Sequence, residues 1–294
     1  MQNVIQMSGV CKSYKHFEIE NLNLELPAGE IMGLVGVNGA GKSTTIRILM
    51  GLIQADAGSV NVLGHSLPHE QVQAKSEIGF ASEDMRLYKN KDLDWHMGFI
   101  QSIFPDWDGA YAKLLLKKFG LKSDQITKGF SHGQRVKASL LLLLARRPAL
   151  LILDEPTTGL DPVARYDVME ELGEILRDEN RSVLFSSHNT HDVEQLSDTL
   201  TFMHDGKILS SGGIDDFVDS WRSVRCRGEI DLESICLPNI AASRQSGPML
   251  NLKLENYDES CLAILQAQGL EIAEVQRMNL EEIFIATVRK GAEK

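Results

Sequence analysis

The first part of the chain shows the apolar patterns of short β-strands separated by turns. Alternation places Leu22, Leu24 and Leu26 on one face of a strand. The segment from Glu30 to Gly36 is largely apolar, which indicates a buried strand. A later strand bounded by glycines gives this part antiparallel character. Strands are predicted over residues 4–10, 18–26, 30–36, 59–63 and 77–81, and a helix is predicted over residues 44–52.

Apolar residues recur at helical intervals in the middle of the chain. Gly120 and Pro148 each follow such a segment, and both residue types are typical just beyond a helix end. Three helices are predicted, one through Trp95, Phe99 and Ile103, one over residues 111–119 and one over residues 131–147.

Strands and helices alternate after Pro148. The all-apolar run 149–153 is typical of a central parallel strand, and the Asp205-Gly206 pair predicts a hairpin turn. This alternation predicts an α/β fold with a mainly parallel central sheet covered on both faces. The remaining predicted elements are a strand at 182–186, helices at 163–177 and 189–196, and a hairpin over 199–211.

The pattern changes again near Trp221, where a small α+β appendage is predicted. We therefore expect two domains, 1–221 and 222–294, with a helical subdomain at about 84–147 in the first. The appendage is expected to have strands at 223–230, 249–254 and 271–275, helices at 258–268 and 280–288, and a loose loop at 243–248.

An excess of acidic residues narrows the range of partners. Asp plus Glu number 41 against 30 Lys plus Arg, a net charge of −11, which argues against nucleic acid and against an anionic membrane surface. The four scattered cysteines indicate reduced thiols in a cytosolic protein. No secretory signal is visible, and the most apolar run, 138–145, is too short to cross a bilayer. Work at a membrane would therefore require another chain.

The segment from Gly36 to Thr44 fits the G-x-x-x-x-G-K-[ST] phosphate-binding pattern. Its glycines let consecutive backbone N–H groups turn toward a phosphate. Lys42 brings a positive charge to the β- and γ-phosphates, and the Ser43 hydroxyl can ligate Mg²⁺. The following helix favours an anion at its N-terminus. The expected nucleotide-binding residues are Gly36, Asn38, Gly39, Ala40, Gly41, Lys42, Ser43 and Thr44.

A second segment with candidate catalytic residues, Leu150 to Glu155, consists of four apolar residues followed by two acids. Asp154, at the end of a strand beside the phosphate loop, can hold Mg²⁺. Glu155 can take the proton from an attacking water. Alone, the segment would suit an ordinary strand that ends in a solvated turn. Its combination with the phosphate loop favours the chemical role.

The ordered motifs resemble an ATP-binding cassette (ABC) ATPase, the nucleotide-driven subunit of ABC transporters. After the phosphate loop come Ser131-His-Gly-Gln134 at the signature position, the acidic strand, the 158–161 loop and His188. The match covers roughly residues 1–215, and the ending Leu280–Phe284 is similar to that of bacterial drug and peptide-antibiotic exporter subunits. The resemblance implies a P-loop NTPase cassette fold that binds ATP and Mg²⁺.

The resemblance also assigns residues to a dimer of cassettes. Ser131, Gly133 and Gln134 would contact the γ-phosphate of ATP bound to the other cassette, and Asp161 would reach across the dimer and link the two sites. Each segment has a structural alternative, because Ser131 suits a helix N-cap and Asp161-Pro162 suits a helix start.

Two further residues acquire roles only through the resemblance. His188 would hydrogen-bond the γ-phosphate and help position the attacking water, although a lone histidine after a strand is more often structural. Tyr14 would stack on adenine, and the alternative is an aromatic residue of the core.

Two residues depart from the family pattern. Glu83 stands where glutamine is usual; it could ligate Mg²⁺ in the catalytic site but cannot donate a hydrogen bond to the water. His132 stands where glycine is usual and would place a bulky ring at the dimer interface. We expect hydrolysis to survive these changes with an altered rate or coupling.

The resemblance implies two partners. One is a second cassette, identical or different, and the other is an integral membrane permease that holds the chain at the cytoplasmic face of the membrane, with export as the expected direction. The aromatic segment 95–104 would either contact that permease or belong to the core. The rival functions are a soluble ABC ATPase without a transporter and an ATP-dependent regulatory module. Three features of the sequence count against the soluble ATPase: the chain has a single cassette, no sustained heptad repeats and an acidic net charge.

Overall fold

The structure is a computed structural model that describes residues 2–82, 86–175, 181–228, 230 and 232–292. The chain divides into two compact units, one of residues 1–199 with 203–208 and one of residues 200–202 with 209–294. The expected domain boundary near Trp221 stays a prediction.

The strands and helices are numbered along the chain. The strands are β1 (Asn3–Tyr14), β2 (Phe17–Pro27), β3 (Ile31–Val35), β4 (Ala57–Val62), β5 (His65–Leu67), β6 (Ile78–Ser82), β7 (Leu150–Asp154), β8 (Ser182–Ser187), β9 (Thr199–His204), β10 (Lys207–Gly213), β11 (Arg222–Arg227), β12 (Ile240–Ser246), β13 (Met249–Leu254) and β14 (Glu271–Arg277). The helices are α1 (Lys42–Leu49), α2 (Gln71–Glu77), α3 (Leu93–Ile103), α4 (Gly109–Lys118), α5 (His132–Leu144), α6 (Pro162–Ile175), α7 (Thr190–Leu196), α8 (Ile214–Ser220), α9 (Ser260–Ala267) and α10 (Leu280–Ala292), with short 3₁₀ turns at Thr127–Gly129 and Leu232–Ser234.

The central sheet has the strand order β10-β9-β3-β8-β7-β6. Strands β3, β8, β7 and β6 run parallel, and β3, β7 and β8 are buried along their whole length, because parallel strands are covered on both faces. Parallel strands end at the same edge of a sheet. The residues that follow Val35, Asp154 and Ser187 therefore meet there, and the predicted mainly parallel sheet is confirmed.

An antiparallel sheet of order β2-β1-β4-β5 forms the N-terminal part of the first unit, as predicted. One hydrophobic core joins it to the central strands and to α1. Ile5, Leu34, Ile46, Ile152 and Leu184 belong to this core, and each is at most 1% exposed. The core fixes the phosphate loop between two sheets.

Helices α3, α4 and α5 confirm the helical pattern of the middle segment. Asp92 and Asp108 cap the first two, since their side chains accept hydrogen bonds from Trp95 N and Tyr111 N at 2.8 Å. Among the residues that the structure describes, no helix has the length and apolar character needed to cross a bilayer.

The second unit contains an antiparallel sheet of order β12-β13-β11-β14. Cys226 and Leu252 lie on its buried face and pack in one cluster with Cys261 and Leu265 of α9. The predicted α+β appendage is confirmed.

Helices α2 and α8 and strands β5 and β12 escaped the sequence patterns. Helices α2 and α8 span seven residues each, so they carry little helical periodicity. Residues 243–246 form part of β12, so the loop predicted at 243–248 is wrong there. This part of β12 is exposed and polar, and it forms because it pairs with β13, with Ser243 opposite Leu252 and Gln245 opposite Leu250.

A buried polar cluster ties α4 to α6. The Tyr111 hydroxyl donates to Glu171 Oε1 at 2.5 Å, and Lys118 Nζ lies 2.9 Å from Glu171 Oε2. The Glu171 side chain is fully buried. Burial, assisted by the Glu171 carboxylate, raises the pKa of Tyr111 well above its usual range.

Replacing Tyr111 with Phe should lower the free energy of unfolding by about 2 kcal/mol near neutral pH, because a hydrogen bond to a charged buried group is lost. The raised pKa predicts a further effect. Above about pH 10 the unfolded chain releases the Tyr111 proton and the folded chain keeps it, so wild type loses stability there. The variant lacks this loss, and its stability should fall less steeply.

Urea unfolding between pH 7 and pH 11 measures both effects. Tyr166→Phe is the matched control, since the Tyr166 side chain is 66% exposed. A Tyr111→Phe variant that follows wild type across the whole pH range would contradict the role of this cluster.

Candidate functional site

The loop between β3 and α1 has the backbone shape that a phosphate requires. Gly39 and Gly41 have φ values of 86° and 111°, a region that side chains with a Cβ rarely adopt. A Cβ on Gly36 would lie 2.4 Å from the Met203 carbonyl oxygen. Glycine is therefore required at these positions, and the N–H groups at the start of α1 are available to an anion.

The turn between β9 and β10 supports this loop. Gly206 N donates to the Ala40 carbonyl at 2.9 Å, and a Cβ on Gly206 would lie 1.7 Å from the Glu18 carbonyl oxygen. Asp205 and Gly206 both have positive φ, as the predicted hairpin turn requires. This turn therefore supports the phosphate loop with residues that are not part of the phosphate-binding motif.

Lys42 crosses the loop with a buried side chain. Its Nζ donates to the Gly36 carbonyl at 2.7 Å and lies 3.2 Å from Glu155 Oε1. The ammonium group therefore links the phosphate loop to the end of β7, and it can balance the charge of a phosphate beside that carboxylate.

Ser43 and Asp154 form a second link between the same two segments. Ser43 Oγ donates to Asp154 Oδ1 at 3.2 Å, and Ser186 Oγ donates to the same oxygen at 2.6 Å. One hydroxyl and one carboxylate suit Mg²⁺, which takes one or two protein carboxylates and completes its shell with phosphate and water. Within the described ranges, no group of three or more His, Cys, Asp or Glu side chains is placed to hold a metal ion.

Glu155 follows β7 in an unusual backbone conformation, with φ at 54°. Its N–H donates to Ser186 Oγ at 3.0 Å, and its Oε2 accepts from Thr158 Oγ1 at 2.9 Å and lies 2.7 Å from His188 Nδ1. Burial raises the pKa of Glu155, but Lys42, His188 and Thr158 outweigh that effect and hold the pKa below its usual range. The carboxylate is therefore charged and can accept a proton.

The 157–161 loop is anchored by a residue that the sequence reasoning missed. Asp192 is buried in α7, accepts from Thr157 Oγ1 at 2.6 Å and pairs with Arg165 of α6. The only sequence signal was the place of Asp192 four residues after His188, and that spacing alone is too weak to assign a partner.

The structural alternatives for Ser131 and Asp161 are confirmed. Ser131 and Gln134 form a reciprocal capping box at the start of α5, and Asp161 accepts from Val163 N and Ala164 N at 3.0 Å at the start of α6. These bonds fix both helix starts. They leave the contacts with a second cassette as a proposal.

Gly133 lies where the two helix starts are close. A Cβ on Gly133 would lie 3.1 Å from Ala164 Cβ, tighter than ordinary contact. A larger residue there would push α5 away from α6, so this glycine serves packing inside the chain.

An open pocket of about 660 Å³ extends from the phosphate loop toward the turn at Asp205. His16 and Phe17 also line it, and these three residues continue into a neighbouring pocket lined by Tyr14. Tyr14 is 46% exposed and stacks on Phe17 at 6.4 Å between ring centroids, so it is not a core residue. The sequence reasoning missed His16, Phe17 and Asp205, because they reach the pocket only through the fold.

The prediction for Glu83 lies outside the described residues. Strand β6 ends at Ser82, which pairs in register with Asp154. Ser82, Asp154 and Glu155 line a small cavity of about 50 Å³ beside α5.

The ABC transporter family model matches residues 19–158. The chain is 30% identical over 290 residues to the Nod factor export ATP-binding protein I of Neorhizobium galegae, covering 94% of this chain and 82% of that protein. It is also 30% identical over 305 residues to the daunorubicin/doxorubicin resistance ATP-binding protein DrrA of Streptomyces peucetius. That match covers 96% of this chain and 91% of that protein.

A solved structure of an ATP-binding subunit of an ABC transporter has a TM-score of 0.67 and 26% identity, covering 74% of this chain and 92% of that one. The predicted P-loop NTPase cassette fold is thereby confirmed. The chain belongs to the ABC transporter family, as one of its ATPase subunits.

Proposed function

We propose that the chain binds Mg·ATP at its phosphate loop and cleaves the γ-phosphate with a water activated by Glu155. One observation carries this proposal, the meeting of four polar side chains at one edge of the central sheet. Lys42 and His188 lie 3.2 and 2.7 Å from the Glu155 carboxylate. Asp154 accepts hydrogen bonds from Ser43 and Ser186 at 3.2 and 2.6 Å. A base, a cation and an oxygen ligand set are the parts that phosphoryl transfer needs.

Ser43 and Asp154 would hold the Mg²⁺, which neutralises charge on the phosphates when bound. Glu83 is proposed as a further ligand and a neighbour of the attacking water, on sequence grounds alone. Lys42 would contact the β- and γ-phosphates. The loop residues Gly36, Asn38, Gly39, Ala40, Gly41 and Thr44 would surround the phosphates, and Tyr14 would stack on adenine.

Glu155 accepts a proton of the attacking water as the water oxygen bonds to the γ-phosphorus, while the bond from that phosphorus to the bridging oxygen of the departing ADP breaks. His188 Nδ1 contacts Glu155 Oε2. His188 is therefore placed to orient both this carboxylate and the γ-phosphate. Thr158 donates to Oε2 as well. Since the carboxylate is held by these donors, the base is oriented before the substrate arrives, and catalysis comes mainly from positioning.

We further propose that two cassettes share each ATP. Ser131 is exposed at the start of α5, where its hydroxyl and the first N–H groups can contact a γ-phosphate. Gly133, Gln134 and Asp161 belong to the same surface of the proposed dimer. ATP would close two cassettes and hydrolysis would open them.

Export through a separate membrane permease is the proposed use of this cycle. Two similar proteins are named for Nod factor export and for drug resistance, which favours an exporter subunit over a soluble ATPase without a transporter. The permease would place the chain at the cytoplasmic face of the membrane.

An aromatic cluster formed by α3 and by Tyr88, which precedes that helix, is the proposed contact with that permease. Trp95 and Phe99 stack at 5.2 Å between ring centroids, and Tyr88 packs edge-on against Trp95 at 5.4 Å. Tyr88, Trp95 and Phe99 are between 36% and 61% exposed. The cluster is thus only partly buried, and an apolar partner segment could cover it.

Glu155→Gln should bind ATP more tightly and hydrolyse it at least about 10²-fold more slowly, because the variant lacks the base and its repulsion of the phosphates. ATP-dependent dimers should accumulate. ATPase assays with sedimentation check this, and Glu194→Gln is the control, since Glu194 is an exposed residue of α7. Full turnover in Glu155→Gln would show that another group is the base.

Replacing both Trp95 and Phe99 with Ala should reduce the share of the chain that stays with washed membranes of its native host, with basal ATPase unchanged. The physical reason is the loss of apolar area that the partner covers. Leu114→Ala removes a similarly exposed apolar side chain from α4 and is the control. Equal membrane retention in all three proteins would rule out this surface.

A further inference from the structure

We propose that His132 is a positioning residue that connects the start of helix α5 to the catalytic carboxylate of the same chain. This inference rests on the proposed roles of Glu155 and Ser131. It assigns a function to the residue at which this chain departs from the glycine of its family.

The first step of the connection is a hydrogen bond between two loops. His132 is the first residue of α5, and its Nε2 lies 3.0 Å from the carbonyl oxygen of Thr158. A carbonyl oxygen only accepts, so Nε2 must carry the hydrogen. Both the neutral Nε2–H form and the cation can donate this bond.

The backbone beside Thr158 fits closely around the ring. Gly159 has a positive φ of 71°, and a Cβ there would lie 3.2 Å from His132 Nε2. The imidazole therefore packs directly on the loop, where glycine at 132 would leave no side chain at all.

The second step runs from Thr158 to the carboxylate. The Thr158 hydroxyl donates to Glu155 Oε2 at 2.9 Å, and Thr158 N donates to the Glu155 carbonyl at 3.3 Å. Oε2 is also the oxygen that His188 contacts. Thr158 thus holds Glu155 through its hydroxyl and is itself held by His132 through its carbonyl.

This path connects two ATP sites in the proposed dimer. Ser131, next to His132, faces the γ-phosphate bound on the partner, whereas Glu155 serves the ATP bound on its own chain. A shift of the α5 start would move Thr158 and reorient Glu155. ATP at one site would thereby bias the base at the other, which is the condition for coupling between sites.

Four variants of the full chain test the connection through ATPase kinetics. His132→Ala and His132→Phe remove the donor, the second while keeping an aromatic ring, and should lower kcat about 5-fold, the effect of one lost hydrogen bond, with KM for ATP little changed. His132→Gln keeps an N–H donor and should recover most of the rate. His191→Ala, at an exposed position of α7, is the control for loss of a histidine.

A double-mutant cycle separates this path from general packing. Thr158→Val removes the hydroxyl bond to Glu155 and should lower kcat on its own. Because His132 acts through Thr158, adding His132→Ala to Thr158→Val should cost little more. Additive losses, or wild-type kcat in both His132→Ala and His132→Phe, would overturn the proposal.

Hydrogen exchange provides a readout that does not depend on hydrolysis. Amides of residues 158–160 should exchange faster in His132→Phe than in wild type, because the loop loses its anchor. Unchanged exchange would overturn the connection even if the chain hydrolysed no ATP. Absence of ATPase in wild type together with faster exchange in the variant would instead remove only the proposed catalytic function.

Discussion

The contact between the phosphate loop and the end of strand β7 is the constraint on which the site depends. Lys42 reaches Glu155, and Ser43 reaches Asp154, so each of two consecutive residues on one segment meets one of two consecutive acids on the other. A buried ammonium and a largely buried carboxylate are costly apart and tolerable together. The pairing of Lys42 with Glu155 fixes the distance between the phosphate loop and the carboxylate that would activate the water.

The fold makes this contact possible through parallel strands. Strands β3, β7 and β8 run side by side, buried on both faces, and release their following residues at one edge. The glycines of the loop let its backbone curve inward. The turn at Gly206 contacts the loop through the hydrogen bond from Gly206 N to the Ala40 carbonyl. Ser186 then links the two acids, since it donates to Asp154 and accepts from Glu155 N. The surrounding core is buried, and close packing of this kind keeps the donors oriented.

The sequence predicted the parts of the site that lie in short local patterns. The phosphate loop needs glycines at fixed spacing, and the acidic strand needs an apolar run before its acids, so both were visible without a structure. Asp192, Phe17 and the hydrogen bond from His132 to Thr158 were not visible, because they depend on segments distant in sequence approaching each other. Strand β12 was missed for a related reason: pairing with β13, and not apolar alternation, forms its exposed half.

In the proposed dimer, ATP is enclosed between the phosphate loop of one chain and the start of α5 of another. Disulfide cross-linking tests it most directly, with Asn38→Cys and Ser131→Cys in one chain whose native Cys11 and Cys236 are replaced by Ser. Both target positions are exposed. Enclosure of ATP between two chains predicts a covalent dimer that forms rapidly with Mg·ATP and slowly without nucleotide. A cross-linking rate unaffected by Mg·ATP, or chains that stay monomeric throughout, would contradict it.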